Sequence, residues 1–274
     1  MAIVKNVGVL AVFICTLAMF ASPANADMGL YPLRHVLSKD NPHAVFTVSN
    51  PSDRIIDGRV GWIDLTATET GYAAATPEAR TALSAAPYLI VSPASFRLKP
   101  GARMQIEIRL REGVKIPKGE RRSHLLVETE ASRTPIRKAS SSGLQVDVGL
   151  GVSAPVILRN GGKAKAKIAE TRLLRDEDGL LQLETAIEPQ GDNSTYGRIV
   201  VDYTPEGGDQ THQLGVRENV AGFTDAPLRK VSVPFGFVAL NAGELVVRYE
   251  GGGEYEDIVF DERAYDLEPP LEGE

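Results

Sequence analysis

Leu144-Gln145-Val146-Asp147-Val148-Gly149-Leu150-Gly151-Val152 alternates without a fault: every even position is aliphatic and every odd one is polar or glycine. A period of two marks a β-strand, because successive side chains leave the backbone on opposite faces. The same period recurs on both sides of this stretch. Before it, alternating runs fall near 29–37, 43–49, 55–66, 87–92, 94–98, 103–111 and 121–129, and the quoted residues belong to a strand expected at 143–158. Asn50-Pro51-Ser52-Asp53 and Lys99-Pro100-Gly101 separate such runs; proline presets φ and glycine permits φ > 0, so both are turns. Thr76, Pro77 and Glu78 predict one short helix over 76–86, with Thr76 as its N-cap.

A break at Asn160-Gly161-Gly162 is followed by a second strand-rich series near 163–175, 180–188, 196–204, 209–216, 228–234, 244–250 and 254–261. Asp176 to Gly179 and Gly251 to Gly253 have the composition of hairpin turns. Seven or eight strands per half, spaced by ~8–12 residues, is the pattern of a β-sandwich. The expected fold is therefore all-β, with two sandwiches, 27–160 and 161–262, joined by a short linker. The remaining residues, 263–274, end in Glu-Pro-Pro-Leu-Glu-Gly-Glu and read as an acidic disordered tail.

The N-terminus predicts export. Lys5 precedes a hydrophobic run from Val7 to Phe20, and Ala24-Asn25-Ala26 supplies small residues before a cleavage point. Residues 1–26 thus read as a signal peptide with the mature chain starting at Asp27. The run is too short for a spanning helix, which needs ~20 apolar residues. Cys15, the single cysteine, lies inside it. A mature chain without cysteine has no disulfide, thiolate metal site or cysteine nucleophile, and must hold together by core burial alone. Charge is divided unevenly: residues 27–160 carry 18 Lys and Arg against 13 Asp and Glu, and residues 161–274 carry 11 against 23. Such a contrast suits two domains with different partners or a charged tail.

Chemistry-bearing motifs are missing from the sequence. His35, His43, His124 and His212 have no metal-ligand spacing, so no metal or cofactor is expected. There is no Gly-x-Ser-x-Gly elbow, phosphate-binding loop or His-Glu-x-x-His. Asn193-Ser194-Thr195 fits a glycosylation sequon, a tripeptide common by chance. Basic residues are not interleaved with aromatics, which argues against nucleic acid as a partner. Nothing points to an enzyme, and no later segment is apolar enough to insert in a membrane.

Two readings fit the 144–152 strand. One is a half-buried strand of its own sandwich. The other is an edge strand lent to a partner, which its two glycines favour, since they make a weak central strand. Ser140-Ser141-Ser142-Gly143 reads as a loop leading into it. An exposed edge with a row of aliphatics is a hazard unless it is used, and strand addition is the natural use.

Several segments in order then resemble the periplasmic chaperones of fimbrial (pilus) subunits. They are Tyr31-Pro32-Leu33-Arg34-His35-Val36, Phe46-Thr47-Val48-Ser49-Asn50-Pro51, and Tyr88-Leu89-Ile90-Val91-Ser92-Pro93 with Phe96-Arg97-Leu98-Lys99-Pro100-Gly101 and Gln105-Ile106-Glu107-Ile108-Arg109. In the second half Gly191-Asp192-Asn193-Ser194-Thr195-Tyr196-Gly197 is similar to a turn of some members. The resemblance spans roughly 28 to 262 and implies two immunoglobulin-like sandwiches set at an angle.

It further implies that the last strand of the first domain donates Val146, Val148 and Leu150, flanked by Leu144 and Val152, to a subunit lacking a strand. Arg34 would anchor the subunit's C-terminal carboxylate. The implied partners are pilus or fimbrial subunits and an outer-membrane usher, in the periplasm. When no subunit is bound, a self-capping homodimer would cover the donor edge. Two departures stand out. Where the family has an anchoring lysine, this chain reads Ser153-Ala154-Pro155-Val156. Arg122, in Arg121-Arg122-Ser123, replaces a glutamate of the interdomain ion network, while Arg159 matches that network's cation. Two like charges there call for a carboxylate from the acidic second domain. The competing reading is an extracytoplasmic immunoglobulin-like protein that binds carbohydrate or a cell-envelope partner. Exposed aromatics in a concave patch would favour it, but Trp62, the single tryptophan, sits mid-strand, where a core position is expected.

Overall fold

The computed structural model describes residues 28–130, 137–141, 144–236, 238 and 240–268, with the backbone alone at 137–141 and 144–148. The expected signal peptide lies outside the described residues. In the first half the strands are β1 (Gly29–Tyr31), β2 (His35–Leu37), β3 (His43–Ser49), β4 (Ile56–Ile63), β5 (Leu65–Ala67), β6 (Tyr72–Ala74), β7 (Leu89–Ser92), β8 (Ser95–Leu98), β9 (Arg103–Leu110), β10 (Gly119–Thr129), β11 (Arg137–Ser141), β12 (Leu144–Val148) and β13 (Gly151–Asn160). One helix, α1 (Pro77–Leu83), lies between β6 and β7, and Thr76 Oγ1 accepts from Ala79 N–H as its cap.

A sheet in the order β1-β3-β9-β7 faces one in the order β2-β13-β10-β4-β8. Alternate residues fill the space between them, among them Phe46, Ile106, Ile108, Leu125, Val127, Val156 and Leu158. Trp62 packs on this core, so it is not a free platform for a sugar ring.

The second half has β14 (Ala166–Arg175), β15 (Leu181–Pro189), β16 (Thr195–Pro205), β17 (His212–Gly222), β18 (Arg229–Gly236), β19 (Gly243–Gly251) and β20 (Val259–Leu267). A β14-β15-β18 sheet packs on a β17-β16-β19-β20 sheet. Leu183, Ile187, Val201, Val233, Val247 and Tyr249 are the buried centre of this core. The fold is thus two immunoglobulin-like β-sandwiches.

A third apolar cluster joins Ala67 and Ile157 of the first sandwich to Phe223 and Ala226 of the second. Burial at this seam ties the domains together. The linker glycines adopt left-handed conformations, and at Gly162 (φ 92°) a Cβ would also sit 2.6 Å from Asn193 Oδ1. Only glycine meets both demands.

The backbone departs from several of these expectations. The run at 29–37 is two strands, because Pro32 has no N–H for a ladder; β1 pairs with β3 in one sheet and β2 lies parallel to β13 in the other. The strand expected at 143–158 is also two. Beyond Thr129 the β10 ladder stops, and Leu150 N–H is taken by Thr129 Oγ1 at 2.9 Å. Residues 151–160 then lie inside the five-stranded sheet, while β12 pairs with β11 in a separate two-stranded ladder.

Ser140 and Ser141, read as loop, close β11, and 142–143 lie outside the described residues. The strand expected at 254–261 starts at Val259, because Gly253–Tyr255 forms a one-turn 3-10 helix. It then runs through Leu267, five residues into the expected acidic tail, since pairing with β19 continues to Gly243↔Leu267. Residues 269–274 lie outside the described residues.

Backbones cross closely where β16 meets β19. Gly197 pairs with Gly251, and a Cβ on Gly197 would run into the Glu250 carbonyl oxygen. Gly197→Ala is expected to cost about 2 kcal/mol, read as a lower urea midpoint with unchanged slope. A loss under about 0.5 kcal/mol, the range of an unremarkable surface change, would show that the two strands separate freely.

Candidate functional site

The seam between the sandwiches gathers an ion network. Arg34 lies in the link between β1 and β2, where the chain changes sheets, so its side chain reaches the second domain. Its guanidinium stacks on Tyr196 at 4.1 Å and is about nine-tenths buried. Nη1 donates to Glu254 Oε2 at 2.7 Å and Nη2 to Oε1 at 2.9 Å, a bidentate fork. Arg159, on β13, donates from Nη1 to the same Glu254 at 2.8 Å and from Nε to Glu120 at 2.9 Å. The Ser194 carbonyl accepts from Arg159 at 3.0 Å, and the Ser194 N–H donates to Glu120 at 3.0 Å. The turn over 191–197 therefore belongs to the seam. Asn193 is buried there and donates to the Gly161 carbonyl, so its sequon is not offered to solvent.

Arg122 forms a second crossing. It donates to Asp225 Oδ1 at 3.0 Å and Oδ2 at 2.8 Å, with side chains only 4% and 9% exposed. Phe223 lies under the guanidinium at 4.0 Å, and Asp225 also accepts from the Ala67 N–H. The carboxylates called for opposite Arg122 and Arg159 thus come from the second domain, as Asp225 and Glu254. Glu120 of the first domain adds a third.

Burial acts to raise the carboxyls of Asp225 and Glu254. Hydrogen bonds and charge from Arg122 and Arg34 respectively outweigh it and hold both below the ordinary carboxylate range. Carboxyls depressed on folding contribute stability above their unfolded pKa and lose it as pH falls through the folded one. Both crossings are therefore intact at neutral pH and open only in acid below about pH 4.

Beside Arg34 a cleft of about 480 Å³ is lined by Tyr31, Leu33, Tyr196, Gly253 and Glu254, among others. Tyr31 is 72% and Leu33 58% exposed, so one wall is apolar and open. An arginine fork beside an apolar wall suits a carboxylate carried on an apolar residue.

Solved structures align with 88–89% of this chain. The likeness is to fimbrial chaperones. The class 5 fimbriae chaperone CfaA is 14% identical, with 89% of this chain and all of that one covered at a TM-score of 0.42. The E. coli chaperone DraB is 15% identical, covering 89% and 96%, at 0.40. The CsuC–CsuE chaperone–tip subunit complex of Acinetobacter baumannii is 11% identical, covering 88% and 98%, at 0.42. No protein-family model and no curated protein matches the chain.

Of the residues singled out from sequence, Arg34 and Arg159 meet at one carboxylate, as described. Leu144, Val146 and Val148 fall on β12, whose side chains lie outside the described residues. Leu150 and Val152 are half-buried and pack against the first core. The four histidines all lie in strands: His35 bonds the Val45 carbonyl at 2.9 Å, and His124 is buried. Among the described residues no three His, Cys, Asp or Glu cluster as a metal site would, and no helix is long and apolar enough to cross a membrane. Sequence reasoning missed Glu254, which it placed on a strand; only its position in an acidic half hinted at a pairing role.

Proposed function

We propose that this chain is a non-enzymatic periplasmic chaperone that caps pilus or fimbrial subunits by lending them a strand and delivers them to an outer-membrane usher. The observation that carries this reading is β12. It has an aliphatic residue at every second position, and among the described residues it pairs only with β11, outside both large sheets. A strand with one unpaired edge offers backbone donors and acceptors to an incoming chain. Leu144, Val146 and Val148 would enter the subunit's groove, with Leu150 and Val152 at the boundary with the chaperone's own core. Arg34, with Arg159 behind it, would anchor the subunit's C-terminal carboxylate. In the absence of a subunit, a second copy would cover the same edge.

Co-expression with a small secreted subunit encoded beside this chain is expected to yield a 1:1 complex on gel filtration. Val146→Glu and Val148→Glu should each weaken it at least a hundredfold, because a carboxylate buried in an apolar groove is unpaired. Leu174→Glu, on an exposed face of the second sandwich, should leave it intact. A complex that survives both strand substitutions refutes strand donation by this segment.

A further inference from the structure

Arg34 keeps an unused buried donor, its Nε, as Arg122 does at the second crossing; unlike Arg122 it borders an open cleft, and both its Nη atoms are occupied by Glu254. We propose that Glu254 is an internal carboxylate ligand of the Arg34 fork, and that a partner's chain-terminal carboxylate enters the cleft by displacing it. This rests on reading Arg34 as the anchor and adds how that anchor is kept filled.

Charge balance requires exchange rather than addition. Arg34 and Arg159 face Glu254 and Glu120, two cations against two anions. A third carboxylate beside Glu254 would leave the part-buried group with a net negative charge, which is costly away from water. Swapping one carboxylate for another leaves the balance unchanged.

Glu254 is also the member able to leave. Its side chain is 30% exposed, against 10% for Arg34 and 11% for Arg159. It sits on the one-turn helix Gly253–Tyr255 in the loop joining β19 to β20, and that turn is entered through Gly253 at φ 61°. The arginines are held independently of it: Arg34 stacks on Tyr196, and Arg159 is bonded to Glu120 and to the Ser194 carbonyl. When Glu254 swings out, the fork stays in place. The open apolar wall of Tyr31 and Leu33 then receives the side chain that carries the incoming carboxylate.

The exchange can be read by calorimetric titration of the full chain with an N-acetylated apolar tripeptide, as the free C-terminal acid and as the amide. Glu254→Gln is expected to bind the acid at least tenfold more tightly than the natural chain, and neither protein to bind the amide. Glu250→Gln removes the same charge nearby, where the carboxylate pairs with Arg198 and Arg248 instead, and should change affinity less than twofold. Equal affinity for the acid in the natural chain and Glu254→Gln overturns the exchange while leaving Arg34 as an anchor. An equal gain from Glu250→Gln does the same. No preference for acid over amide in Glu254→Gln overturns both the exchange and the anchor. Should Glu254→Gln fail to fold, Glu254→Asp, one methylene short of the bidentate contact, carries the test with an expected gain of at least threefold; no gain overturns the exchange.

Discussion

Asp225→Asn is expected to destabilise the protein by about 3 kcal/mol, because it leaves the Arg122 guanidinium buried without its counter-charge. Arg122 is 4% exposed and gives two of its hydrogen bonds to Asp225. Its other contacts include the Leu65 carbonyl at 3.0 Å and the faces of Phe223 and Tyr72. None of these neutralises a full charge. Trp62, on β4, pairs with Leu125 two residues after Ser123 on β10, so its fluorescence reports unfolding of the strand that carries Arg122. Urea titration followed at Trp62 should show the loss directly. Replacing both partners, as Arg122→Met with Asp225→Leu, should recover most of it, because an apolar pair of similar volume pays no desolvation. A loss below about 1 kcal/mol in Asp225→Asn, typical of an exposed pair, would mean that water reaches Arg122 and that this crossing adds little to the joining of the domains.

Acid should weaken the fold well before the carboxylates titrate. His124 is 2% exposed, and neither ring nitrogen has a partner. Burial, reinforced by the charge of Arg122 and opposed by Asp225, lowers its pKa from 6.5 to about 4. The Tyr72 ring packs against it in a T-shaped pair with centroids 4.9 Å apart, so an apolar ring rather than water borders the imidazole. In the unfolded chain the same ring titrates near 6.5. Because the folded pKa is the lower one, the unfolded state binds the extra proton, and stability falls as pH drops from about 6.5 towards 4. Between pH 7 and pH 5 the expected loss is about 2 kcal/mol, at 1.4 kcal/mol per pKa unit. His124→Leu should be at least as stable at pH 7 and flat across that window, since it removes two unpaired nitrogens with the titrating group. Equal pH slopes in the two proteins would show that His124 takes up its proton without unfolding.

Much of this architecture was legible in the sequence. The run His43–Ser49 was bounded correctly, because alternation and the Asn50-Pro51 turn coincide at its end. Thr76-Pro77-Glu78 announced α1 for a local reason: a cap bonds its own first turn. Misreadings fell where a strand's fate depends on its neighbour. Residues 143–158 alternate through 149 and 150, and nothing local says that β10 ends at Thr129 and withdraws the ladder there. Residues 263–267 are acidic enough to read as tail, yet β19 supplies an edge that holds them as strand.

The strand that opened the sequence reading shows the same division. Alternation alone made Leu144–Val152 a strand with one aliphatic face, since the two-residue period is a property of the backbone. A single cysteine, Cys15, likewise allows no disulfide within the chain and puts the burden of stability on burial. Which part of that strand is built into the sandwich and which lies outside it was decided by pairing with residues far away in the chain. So was the state of Arg34. Its charge and position were readable from the sequence, but its engagement by Glu254, 220 residues later, exists only because the two sandwiches close on each other. Local periodicity follows from bonded geometry; charge neutralisation at a seam follows from which surfaces meet.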